Sequence, residues 1–130
     1  MQYMLLIYGD EKAQPTDLPP EAQAEGMQEW FDYTDWLRAE GIYVAGDALQ
    51  ETEHATTVRV QKGKTLTTDG PFAETKEQLG GYYLLECADL DQAIEAAAKC
   101  PGARLLLARP RQSMVIASAS SRAISRRAAW

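Results

Sequence analysis

Two segments of the chain are apolar on both of the faces that strand alternation would give them. Tyr3-Met4-Leu5-Leu6-Ile7-Tyr8 and Leu79-Gly80-Gly81-Tyr82-Tyr83-Leu84-Leu85 leave no polar side, and strands of that kind need cover above and below. Between them the pattern changes. Pro19-Pro20-Glu21 suits a helix start, because proline needs no donor there and acids favour the first turn. Met27, Trp30, Phe31, Thr34 and Leu37 then recur at helical spacing and predict the buried stripe, with Tyr33 and Trp36 at its margin. Gly41 predicts the stop.

Ile42 to Leu49 reads as a strand, with Ile42, Val44, Gly46 and Ala48 on one face and Tyr43, Ala45, Asp47 and Leu49 on the other. Thr56–Val60 is a β-branched run, and Gly63 predicts a tight turn into Lys64–Thr67. Asp89 with Gln92 three residues on has the form of a capping box. It opens a helix whose inward stripe is Leu90, Ala93, Ile94 and Ala97, and Pro101-Gly102 ends it. A last strand is expected near Ala103–Arg109.

With the short hairpin counted as one region, the order is β-α-β-β-β-α and a final strand, which is the split βαβ, ferredoxin-like arrangement of the α+β class. In it an antiparallel sheet carries two helices on one face. Nothing remains in the chain to cover the other face, so the doubly apolar strands predict a homodimer joined through its sheet faces.

At 130 residues the chain suits one domain. The expected division is a folded unit over 1–110 and a Ser/Ala/Arg-rich tail over 111–130, disordered or loosely packed. The net charge of −6 conceals an asymmetry: residues 1–103 carry all 19 acids and 7 bases, and residues 104–130 carry six arginines and no acid. An acidic body argues against direct nucleic-acid binding. No apolar run reaches the roughly 20 residues of a membrane span, and the opening residues lack the form of a signal peptide, which predicts a cytoplasmic protein away from membranes.

Cys87 and Cys100 make no disulfide framework and read as buried thiols. With His54 the single histidine, no metal site built on His and Cys is expected, and no cofactor motif is present.

The stretch Thr68-Asp69-Gly70-Pro71-Phe72-Ala73-Glu74-Thr75-Lys76-Glu77-Gln78-Leu79-Gly80-Gly81-Tyr82 resembles the DGPF signature of the YCII-related family. Tyr3–Tyr8, Ala55–Arg59 and Leu90–Pro101 resemble that family as well. The resemblance covers roughly residues 1–103 and implies a dimeric α/β barrel. It implies no settled activity. Relatives are similar to dehydrochlorinases of chlorinated hydroxyquinols, which points to a lyase-like enzyme, and others occur beside extracytoplasmic-function sigma factors. A histidine–aspartate pair proposed for some members has no counterpart, because no histidine stands in a motif position here. Arg109-Pro110 alone survives of the closing strand usual in the family.

The signature supports two readings. In the structural one, Asp69-Gly70-Pro71 is turn chemistry, Phe72 plugs the core, and Gly80-Gly81 marks a bulge or a close backbone approach. In the chemical one, Asp69 is a general base, Lys76 and Arg59 hold an anionic or enolate oxygen, and Glu74 and Tyr82 complete the binding site. That set suits proton abstraction or elimination on a small oxygenated substrate, aromatic or not. Asp47 is a further candidate if its strand face is covered. The rival to an enzyme is a ligand-sensing or partner-binding module working with a transcription regulator.

Overall fold

The computed structural model describes residues 1–104 and 112–119. Its elements in chain order are β1 (Gln2–Gly9), α1 (Pro20–Ala39), β2 (Tyr43–Ala48), β3 (Thr56–Gln61), β4 (Lys64–Asp69), β5 (Gln78–Glu86), α2 (Leu90–Lys99) and β6 (Gln112–Ser118). Short 3₁₀ turns stand at Glu11–Ala13, Thr52–His54 and Pro101–Ala103.

Four strands form an antiparallel sheet in the order β2-β5-β1-β6, and β3 pairs with β4 alone. Strands β1 and β2 therefore flank β5, and β5 and β6 flank β1. Each pair is joined through a helix, so two split βαβ units interleave in the ferredoxin-like fold, with the β3–β4 ribbon inserted between β2 and β5. The ribbon turns through Lys62 and Gly63, both at positive φ (49° and 75°), which is the two-residue turn whose twist matches antiparallel strands.

One sheet face is the core. Tyr3, Leu5 and Ile7 of β1 and Tyr83 and Leu85 of β5 are buried there beneath the helices, with Tyr33, Leu37, Ala93, Ala96 and Ala97. Tyr33 ties the layers together. Its hydroxyl donates to the Ala96 carbonyl at 2.8 Å, and its ring meets Tyr83 edge-on at 5.3 Å. Thr34 and Tyr83 share a hydroxyl–hydroxyl bond of 2.8 Å.

Several expectations are corrected here. The buried side of α1 is Gly26, Tyr33 and Leu37, with Trp30 and Trp36 packed at its edge, whereas Met27 and Phe31 are 55% and 57% exposed. In α2 Ala93, Ala96 and Ala97 face inward, and Leu90 and Ile94 face out. Aromatic rings from α1 and β5 fill the space between the layers, so α2 lies close and admits only small side chains. In β2 a bulge between Tyr43 and Ala45 breaks the alternation. Tyr43 joins the helix side, beside Tyr83 and under Arg38, while Ala45 and Asp47 lie on the open side opposite Leu84 and Tyr82.

The last strand also lies elsewhere. Residues 105–109 of the expected strand fall outside the described ones, and the strand that pairs with β1 from Tyr3 to Gly9 is Gln112–Ser118. Those seven residues belong to the tail for which disorder or loose packing is expected; here they form a sheet edge. Residues 120–130 lie outside the described chain.

The helix boundaries follow their signals. Pro20 opens α1, and Gly41 closes it at φ +71°, with the Gly41 and Ile42 amides returning to the Arg38 and Leu37 carbonyls at 3.0 and 3.2 Å. Asp89 accepts from the Gln92 amide at 2.9 Å. The Gln92 side chain reaches back to the Ala88 amide at 2.7 Å, one residue beyond the usual capping-box partner.

Candidate functional site

The segment that links the ribbon to β5 begins at Gly70, whose φ of +90° lies in the region that glycine alone enters without strain. Its amide donates to the Ala55 carbonyl at 2.7 Å, and its carbonyl accepts from the Thr57 hydroxyl at 2.8 Å. The turn is thus held by its backbone. The Asp69 carboxylate is exposed and has no hydrogen-bond or ion-pair partner among the described residues.

This separation gives a testable contrast. Gly70→Ala is expected to destabilise the fold by about 1–2 kcal/mol, because alanine resists that backbone region. Asp69→Asn is expected to stay within about 0.5 kcal/mol of the parent, as surface changes do. Denaturant titration of the two variants checks both, and a large loss for Asp69→Asn would return the carboxylate to a structural role.

At the far end of the segment both expectations for the glycine pair are met. Ile7 pairs with Gly81 and Tyr8 with Leu79, so Gly80 is the extra residue of a bulge. A Cβ on Gly81 would stand 3.0 Å from the Asp47 carbonyl oxygen, which is a close backbone approach. Phe72 is no core plug: it is 78% exposed.

Between these anchors the chain crosses in front of the end of the sheet and faces two other turns. Glu11 holds one of them: its carboxylate accepts from the Thr52 amide at 2.9 Å and from the Thr52 hydroxyl at 2.8 Å. Its own amide donates to the Gln78 side chain at 3.0 Å. The three pieces enclose an open groove of about 1390 Å³, with Glu74 and Lys76 on one wall and Glu53 and His54 on the other. A smaller lobe, lined by Tyr8, Lys76, Glu77, Ser113 and Val115, continues it toward the sheet. The Ser113 hydroxyl donates to Glu77 at 3.0 Å. Tyr8 and Ser113 are paired across β1 and β6, so this lobe opens onto the face that the helices leave bare.

The five sequence-predicted site residues therefore fall in three places. Lys76 and Glu74 line the groove. Asp69 and Arg59 belong to the ribbon, with Asp69 at its base opposite Thr56 and Arg59 opposite Leu66. Tyr82 lies on the open sheet face, where its hydroxyl donates to Asp47 Oδ2 at 3.3 Å. The neighbouring Asp47 charge holds the Tyr82 phenol above its ordinary range, with desolvation adding to it.

Glu11, Thr52 and Gln78 went unnoticed in the sequence. They lie 41 and 67 residues apart, in loops with no periodic pattern, and nothing local marks them as partners. Among the described residues no three His, Cys, Asp or Glu side chains converge as a metal-ligand set, and no helix is long and apolar enough to cross a membrane.

An uncharacterised protein of Rhizobium meliloti (strain 1021) is 55% identical over 49 residues, which is 38% of this chain and 40% of that protein. The chain thus matches well under half the length of that relative. The profile of the YCII-related domain matches residues 1–110. That match spans most of the chain, and the chain belongs to the YCII-related domain family.

Proposed function

We propose that this protein is a homodimer that binds a small oxygenated molecule in the groove between the Gly70–Leu79 segment and the Glu11 and Thr52 turns, and abstracts a proton from it. The observation that carries the reading is the placement of Lys76 and Glu74. Both line the groove, and neither side chain has an ion-pair or hydrogen-bond partner among the described residues. An unpaired ammonium in a concave site is free to hold a ligand oxygen as negative charge develops on it.

In this reading Asp69 is the base. It precedes Gly70-Pro71, where the groove wall begins, and its carboxylate is uncommitted. Arg59 and Tyr82 stand outside the groove of a single chain. What supports the homodimer is the open sheet face, where Met4, Leu6, Tyr8 and Leu84 are only partly buried and no described element covers them. Packing two such faces would remove this apolar surface from water, and a stable contact needs about 800 Å² per partner.

The test is a binding screen of small hydroxylated and halogenated aromatics by protein-observed NMR, repeated for Lys76→Ala and Asp69→Asn. Lys76→Ala is expected to weaken binding at least tenfold with an unchanged unfolding midpoint. Asp69→Asn is expected to keep binding and lose turnover. Binding indifferent to Lys76, or mapping away from Glu74–Leu79, would end the reading. Binding without turnover in the parent would favour a ligand-sensing module beside a transcription regulator.

A further inference from the structure

The β3–β4 ribbon has the pattern of a covered ribbon, and no other described element covers it. Its register places Val58 opposite Thr67 and Val60 opposite Thr65, while Arg59 pairs with Leu66 and Gln61 with Lys64. One face is therefore uncharged and β-branched from Val58 and Thr67 to Val60 and Thr65, with Asp69 opposite Thr56 only at its base, and the other carries Arg59 and Lys64. Such alternation is the mark of a half-buried ribbon. Yet Val58 and Val60 are 58% and 69% exposed, and among the described residues the two strands pack chiefly on each other. A two-stranded hairpin on its own is marginal in water.

We propose that the ribbon is an arm that lies across the margin of a second copy's open sheet face, with Val58, Val60, Thr65 and Thr67 against Tyr8 and Val115 of that copy, and supplies the wall its groove lacks. This rests on the sheet-to-sheet dimer proposed above and goes beyond it, because each groove is then incomplete without residues from the other copy.

Two observations select a second copy as the occupant. The first is charge. Residues 56–69 hold Arg59, Lys62 and Lys64 against Asp69, a balance of +2, so the rest of the chain carries −6 − 2 = −8. Two such bodies repel, and a cationic arm reaching from each onto the other offsets that repulsion. The second is complementarity within one sequence. Among the described residues both an apolar sheet face and the Val58/Val60 face of the ribbon are without cover, and a two-fold contact satisfies both twice. The groove lobe lined by Tyr8, Ser113 and Val115 opens onto that face, at the place where an arm from the second copy closes it.

The test combines sedimentation equilibrium with cross-linking. Val58→Asp with Val60→Asp is expected to weaken dimerisation at least tenfold, while far-UV circular dichroism stays that of the parent. Independently, Val60→Cys labelled with a benzophenone maleimide probes the otherwise unperturbed chain, since Cys87 and Cys100 are buried. Irradiation is expected to join position 60 to residues 4–8 or 113–117 of a differently isotope-labelled copy.

A dimer unchanged by the double aspartate, or cross-links confined to one chain or to other residues of the second copy, would overturn the arm and leave the sheet-to-sheet dimer standing. A parent that is monomeric at all concentrations would overturn both. If the double aspartate fails to fold, the cross-link alone decides.

Discussion

Tyr33→Ala is expected to cost about 4 kcal/mol, a large part of the 5–15 kcal/mol that holds a domain of this size together. Tyr33 is 5% exposed and stands where α1, α2 and β5 meet. Removing its ring empties the space against Tyr83, with which it makes the edge-on contact, and against Trp36, which stacks on it at 6.0 Å. The three inward alanines of α2 cannot refill that space. The hydroxyl is lost as well, and with it the bond to the Ala96 carbonyl.

Tyr33→Phe separates the two contributions. It keeps the ring and is expected to cost only about 1–1.5 kcal/mol, the worth of one buried hydrogen bond. Denaturant titration of both variants checks the pair. If Tyr33→Ala cost no more than Tyr33→Phe, the ring would not be the wedge between helices and sheet that its contacts describe.

The same residue shows why some of the fold was legible in the sequence and some was not. Element order could be read, because turns and caps are local chemistry: Gly41, Gly63 and Asp89 act on residues within a few positions of themselves. Doubly apolar β1 and β5 correctly marked the central strands, which lie side by side in the sheet. Facing within the helices could not be read so easily. Apolarity places Met27 and Phe31 on the α1 stripe, but burial follows volume matching between layers, and Tyr33 has a polar tip whose partner, the Ala96 carbonyl, lies 63 residues away.

The β2 bulge inverted one residue's face for a similar reason, since a slip between Tyr43 and Ala45 leaves no trace in composition. At the site, the signature announced Glu74 and Lys76. The Glu11–Thr52 latch that shapes the opposite wall is a long-range pairing of ordinary loop residues. Charge density in one segment also suggests Asp69, Arg59 and Lys76 as neighbours, whereas the ribbon carries Arg59 away from the groove wall and leaves Asp69 at its base, two residues before the wall begins at Pro71.

Above pH 9 the fold is expected to lose stability steeply, with Cys100 contributing about 2–3 kcal/mol of that loss by pH 11 to 12. The thiol is fully buried at the end of α2, and burial pushes it up to about 11, against the smaller opposing effect of the Gly102 and Ala103 amides. In the unfolded chain it returns to the ordinary thiol range, about 8.5–9. A group whose folded value is raised contributes stability that is fully present below its unfolded value. As pH climbs through that window the unfolded chain releases the proton first, so stability falls until the folded thiol ionises too. Burial holds the Tyr33 phenol far above its ordinary range, and so it acts in the same direction at higher pH. Measuring unfolding free energy from pH 7.5 to 11.5 for the parent and Cys100→Ala isolates the thiol. The variant is expected to start slightly less stable at neutral pH and to fall less steeply above pH 9, so that the two curves converge. Parallel curves would mean that the Cys100 thiol titrates alike in the folded and unfolded chains, and that the sulfur under α2 is wetter than its burial beside Pro101 and Gly102 implies.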